Sequence, residues 1–219
     1  MTQPSLSPRA ARTRSALLSA GMELLVERPV DAIAIDEFVA TARVAKGSFF
    51  NHFADKRQFA IAIAKEIRLD VETWVGQINA DIPDPLERLS GGMIAAAAYA
   101  LANPERTAVL ARSLNGTSLD SHPINAGLLQ DLRGGLAAGL IELPSEQAGI
   151  LYWLGACQSL MGNIIESAAN RPAAEQLLAN MLQLALRGLS APASCIAKLT
   201  DQVAIQARFA MAPHTIAND

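Results

Sequence analysis

Apolar residues recur at helical spacing in one segment of this chain after another. Leu17, Ala20, Gly21 and Leu24, with Leu18 and Leu25 beside them, mark one face of a helix over 8–27. Ile35, Phe38, Val39 and Ala42 repeat the i, i+3, i+4, i+7 pattern in a shorter helix. After the break Arg43-Val44-Ala45, Phe49 and Phe53 stand four apart in a third. Proline opens segments and does not interrupt them, at Pro8, Pro85, Pro104, Pro123 and Pro172. At the first helical position its missing N–H would be unpaired anyway. Asp84 to Glu87 and Asp55 to Gln58 have the spacing of capping boxes. Strand signals are nearly absent, and alanine and leucine, both helix formers, dominate. The pattern predicts an all-α chain of about nine helices: 8–27, 35–42, 46–52, 55–80, 85–102, 104–113, 123–140, 145–169 and 172–189. A further helix over Cys195–Met211 fits the same rules. The organisation expected is an N-terminal module over 1–55, a larger helical bundle over 56–190, and an extension over 191–219 with no assigned role.

Composition narrows the function. With 219 residues, 51% apolar and 18% charged, the chain is long and apolar enough for a sizeable core. Cys157 and Cys195 lie far apart, which supports neither a disulfide framework nor a zinc site and suits a reducing cytoplasm. The net charge of −3 on its face argues against nucleic acid, but it is unevenly spread. Residues 1–57 hold eight Lys/Arg against six Asp/Glu, so the acidic excess lies in the rest. No charged-then-apolar leader pattern opens the sequence, so a cytoplasmic location is expected. The stretch 147–165 is uncharged and long enough to span a bilayer. Gln147, Gln158, Ser159 and Asn163 within it, and Glu146 and Glu166 at its ends, favour a helix buried in a protein interface, with no membrane partner. Phosphate-loop, dinucleotide, zinc-protease and nucleophile-elbow motifs are all absent. His52, His122 and His214 are too scattered to predict a metal site. An enzyme, a metal and a cofactor are therefore not expected.

Two short helices joined by a three-residue turn make a helix-turn-helix candidate, with the second helix set in the major groove. With Val44, Phe49 and Phe53 turned inward, Lys46, Ser48, Phe50, Asn51 and His52 face out. Asn51 suits an adenine edge or a phosphate, Ser48 and His52 suit phosphates, and Phe50 suits a thymine methyl. Lys56 and the first N–H groups of the next helix offer another phosphate site. Arg9, Arg12 and Arg14 sit where they would reach along the DNA backbone. Three ordinary helices with a solvated polar face satisfy the same spacing.

The run Ile35 to Lys56 resembles the DNA-binding signature of TetR-family transcriptional regulators. That signature has a helix ending in small residues, then Gly-Val-Ser, Lys-Gly-Thr-Phe-Tyr-x-x-Phe and a lysine shortly after. The resemblance covers roughly residues 10–60. It implies a DNA-binding set of Arg14, Arg43, Lys46, Gly47, Ser48, Phe50, Asn51, His52 and Lys56. Within it, Ser48 and Phe50 stand where the family places a phosphate-binding Thr and a Tyr. Gly47 matches the glycine that lets the backbones approach, and Lys56 the usual phosphate contact. Arg43 stands in place of the turn glycine, Ala45 in place of the capping Ser, and Ala34 in place of another cap. Phe50 lacks the phenolic hydroxyl.

Small residues recur at Ala148, Gly155 and Gly162, with Ser159 on the same stripe. The next helix carries Leu177, Met181 and Leu184 on one line and Leu178, Leu182 and Ala185 on another. Two such helices suit a four-helix seam with a second copy, although a monomeric core fits as well. The resemblance implies a homodimer on an inverted-repeat operator in double-stranded DNA, released by a small-molecule effector. Candidate effector-lining residues are Trp74, Met93, Tyr99, Leu110, Asn115, His122, Trp153, Gln158 and Asn163. An activator, a regulator without a ligand, and an interaction module that has lost DNA binding remain alternatives.

Overall fold

The computed structural model describes residues 7–113 and 123–213. Among these, every regular element is a helix. The chain divides into two compact units: one runs to Ile67 and takes in the segment from Ala108, and the other holds Arg68–Thr107 and the remainder. The division falls inside two helices.

The first unit contains α1 (Pro8–Glu27), α2 (Ile35–Thr41), α3 (Lys46–Phe50) and the start of α4 (Lys56–Ile78). The end of α6 (Pro104–Ser113) belongs to it as well. Ser7 caps α1, with its hydroxyl 3.3 Å from the N–H of Ala10. Asp55 accepts from the N–H of Gln58 at 2.7 Å and starts α4. Phe59 is the hub of the core: the rings of Phe38, Phe49 and Phe53 lie 4.9, 5.2 and 4.8 Å from its own. Gly21 lets α1 approach α4, because a Cβ there would collide with Phe59 and Ile63. Arg112 donates to the carbonyls of Leu25 and Val26 at 2.5 and 2.9 Å, satisfying the C-terminal end of α1.

The second unit is built around α5 (Pro85–Ala102), whose residues from Met93 to Ala100 are all buried. α7 (Ala126–Ala137), α8 (Glu146–Glu166) and α9 (Arg171–Gly188) pack on it. A helix covered on every side reads as continuously apolar, and the alanine run 95–98 keeps its neighbours close. α7 stops before residue 140 because Gly139, at φ 66°, takes the left-handed turn that ends it. α8 is long and apolar enough to cross a membrane by length and composition. Its Ile150, Trp153, Cys157, Leu160, Met161 and Ile164 are instead buried in this unit.

The extension is not one helix but two, α10 (Ala193–Leu199) and α11 (Gln202–Ala210). Asp201 caps the second by accepting from Ala204 at 3.0 Å, which breaks the run. Both pack on α5 and α9. Arg208 donates to the Glu87 carbonyl at 2.8 Å and to Asn79 Oδ1 at 3.1 Å, and Lys198 pairs with Glu87 at 2.5 Å. Glu87 is thus drawn to Lys198; Asp84 alone caps α5, accepting from the Glu87 N–H at 2.8 Å.

Candidate nucleic-acid interface

α2 and α3 are joined by a turn that closes on two backbone bonds, Arg43 N–H to the Ala40 carbonyl at 3.1 Å and Val44 N–H to the Val39 carbonyl at 3.0 Å. This is a Schellman stop, and Arg43 holds its left-handed position at φ 55°. A non-glycine residue there costs about 1–2 kcal/mol. Ala45 leads into α3 with no side-chain cap, as its replacement of a serine implied. At the start of α2, Ala34 offers no cap either, and Glu37 compensates by accepting from the Ala34 N–H at 3.0 Å. Arg28 holds that carboxylate from the other side at 2.6 Å. Together the Ala34 N–H and then Arg28 keep Glu37 below the usual carboxylate range.

The two faces of α3 separate as the phenylalanine spacing required. Phe49 is fully buried and Phe53 nearly so. Lys46, Gly47, Phe50 and Asn51 are exposed, and Ser48 and His52 half-buried. Phe50 is 52% exposed, the most exposed large apolar side chain among the described residues of this unit. A Cβ at Gly47 would meet open space, so nothing inside the chain requires glycine there.

Several cations are already engaged. Arg14 pairs with Glu66 at 3.4 Å and lies over the Phe53 ring. Lys46 pairs with Asp36 at 2.8 Å on the exposed surface. Lys56 donates to the carbonyls of Asp31 and Ile33 at 3.2 and 3.0 Å, which the sequence did not foretell. By contrast, Arg9, Arg12, Arg43, Arg57 and Lys65 are exposed, and none of their side chains pairs with a described residue. Arg57, in the first turn of α4, is a candidate that motif matching passed over.

The candidate effector residues scatter more widely. Trp74, Met93, Tyr99 and Trp153 are buried in the second unit, with the Trp74 and Tyr99 rings 5.3 Å apart. Tyr99 accepts from Arg106 Nε at 3.1 Å, and Arg106 also pairs with Asp70. Burial pushes the Tyr99 hydroxyl up to about 12. Gln158 is half-buried, and its amide nitrogen has no hydrogen-bond partner. Asn163 is exposed on α8. Leu110 is buried but belongs to the first unit, apart from the others. Asn115 and His122 lie outside the described residues. Nearby, Arg68 joins Glu72 at 3.4 Å and Asn125 at 2.9 Å, and burial raises the Glu72 carboxyl despite the guanidinium. The Cys157 thiol is pushed up to about 12 by burial and stays protonated.

Residues 17–63 match the model for the N-terminal domain of bacterial regulatory proteins of the tetR family. The transcriptional regulator AcuR of Cereibacter sphaeroides is 36% identical over 61 residues, 28% of each chain. The HTH-type transcriptional repressor DhaR of Mycobacterium sp. is 34% identical over 83 residues, 36% of this chain and 41% of DhaR. The chain therefore spans less than half the length of either relative. Across the fold it is similar to RolR solved with resorcinol, at TM-score 0.60 and 20% identity over 88% of this chain and 95% of that one. The signature from Ile35 to Lys56 and the helix-turn-helix that carries it fall within the stretch the family model matches, and in that stretch the chain is similar to bacterial regulatory proteins of the tetR family.

Proposed function

We propose that this protein is a transcriptional repressor that binds an inverted-repeat operator as a homodimer and is released by a small-molecule effector held in its second unit. The observation that carries the reading is the split of α3: two phenylalanines fix it to the core while Lys46, Ser48, Phe50, Asn51 and His52 stand ready for a groove. Asn51 and Phe50 read base edges, and Ser48 and His52 meet the backbone.

The dimer is supported by the outer faces of α8 and α9. Leu151, Tyr152 and Leu184 are 45%, 41% and 59% exposed. A Cβ on Gly155 or Gly162 would meet open space, so these two positions of the small-residue stripe have no partner among the described residues. On α9 the line Leu178, Leu182 and Ala185 is buried, whereas Leu177, Met181 and Leu184 remain partly or largely uncovered. A second copy laid on this surface completes a four-helix seam and pairs two recognition helices for half-sites about 34–36 Å apart.

An effector is supported by the resorcinol bound to RolR. Here the Gln158 amide nitrogen is buried and has no hydrogen-bond partner among the described residues. Release follows from a population shift in which the effector favours a tilt of α4, and only its differential affinity for the two states counts. Selection of bound duplexes from a random pool tests the function. Recovery of an inverted repeat supports it, and a pool that never enriches, even at low salt, refutes it. Mass spectrometry of the purified protein then seeks a retained small molecule.

A further inference from the structure

Arg43 sits at the point of the helix-turn-helix that glycine would serve best. Ala168 and Ser190 adopt the same backbone conformation where α8 and α9 end, so a positive φ marks a helix stop and is not by itself a sign of function. Arg43 differs from the other exposed, unpaired cations, Arg9, Arg12, Arg57 and Lys65, in that those lie on α1 or α4. It is long, cationic, exposed and unpaired among the described residues, and it lies on the turn that leads into α3. Of the neighbouring cations, Arg28 pairs with Glu37, Lys46 with Asp36 on the exposed surface, and Lys56 with the carbonyls of Asp31 and Ile33, whereas Arg57 in the first turn of α4 is unpaired among the described residues. Two of the three N–H donors of Lys56 are thereby spent inside the protein.

We propose that Arg43 anchors the turn to the DNA backbone by pairing with a phosphate beside the groove that α3 enters. The proposal rests on the reading that this face binds duplex DNA. A guanidinium presents a planar fork that grips phosphate oxygens in pairs. The two backbone bonds of the Schellman stop fix the point from which the side chain springs. Such a contact sets register and affinity but reads no sequence.

The test uses the full chain and a labelled duplex of random sequence, about 30 base pairs long, titrated by anisotropy from about 50 to 200 mM KCl. Each phosphate neutralised adds about 0.9 to the slope of log affinity against log salt. Arg43→Gly is expected to raise Tm by about 2–4 °C, since it relieves the left-handed strain. The same variant is expected to bind about tenfold more weakly at low salt, with a slope smaller by about 0.9 per bound copy. Arg43→Lys is expected to keep the wild-type slope. An Arg43→Gly protein with wild-type slope and affinity overturns the anchor. A wild-type protein that binds no duplex at the lowest salt overturns the DNA-binding reading itself, and the anchor with it.

Discussion

Gly47 and Glu37 show two different demands on single residues of the interface. Nothing in the chain fills the space where a Gly47 side chain would go. Gly47→Ala is therefore expected to hold or raise stability by about 0.5–1 kcal/mol, because alanine is the better helix former. It is also expected to weaken duplex binding, since the methyl group stands where a DNA backbone would approach. Thermal melts and anisotropy read the two effects separately. Glu37 works inward. The Ala34 N–H and Arg28 hold its carboxyl below the usual range, so its contribution is present above the unfolded pKa and fades as pH falls through the folded one. Glu37→Gln should cost stability at neutral pH, and the cost should shrink as the pH falls below the usual carboxylate range, by chemical denaturation across that range. Substitutions such as Ala45 for serine were legible because their partners are near in sequence. The bonds from Arg14 to Glu66 and from Arg112 to Leu25 were not, because each joins residues more than fifty positions apart.

At the scale of elements, helix starts were the most legible feature, because proline and side-chain caps act within one turn. Stops were harder. α7 ends at a glycine that a periodicity count runs past, and Asp201 splits the extension into α10 and α11. Two elements carry clear energetic expectations. Phe59 is fully buried at the centre of a four-phenylalanine cluster on α4. Phe59→Ala is expected to cost about 3–5 kcal/mol and to raise amide exchange in α1 to α3 before α5 and α8 respond. α11 is fastened to the α4–α5 connection through Arg208, which meets Asn79 and the Glu87 carbonyl beside Gly91. A side chain at Gly91 would collide with both Asn79 and Arg208. Gly91→Val and Arg208→Ala should each lower Tm, by a few degrees for the arginine, since a hydrogen bond from a charged donor is worth about 1.5–3 kcal/mol.

For the whole molecule, the decisive surface is the uncovered side of α8 and α9. Leu184→Glu places a charge on the proposed seam without touching the buried line at Leu178 and Leu182. Light scattering after gel filtration should show a monomer, operator affinity should fall at least tenfold, and Tm should drop by what dimerisation contributed and lose its dependence on protein concentration. A dimer that survives the substitution places the seam elsewhere. The sequence by itself determined the helical class, the order of the helices, the helix-turn-helix and the two aromatic residues that orient its second helix. Those features follow from spacings of three, four and seven residues and from caps that act locally. Only the tertiary structure decided which cations are free, which of the two apolar lines on α9 is core, and that α10 and α11 belong to the second unit. Each of these depends on what a distant segment covers, and burial is a property of the packed chain, which no local pattern specifies.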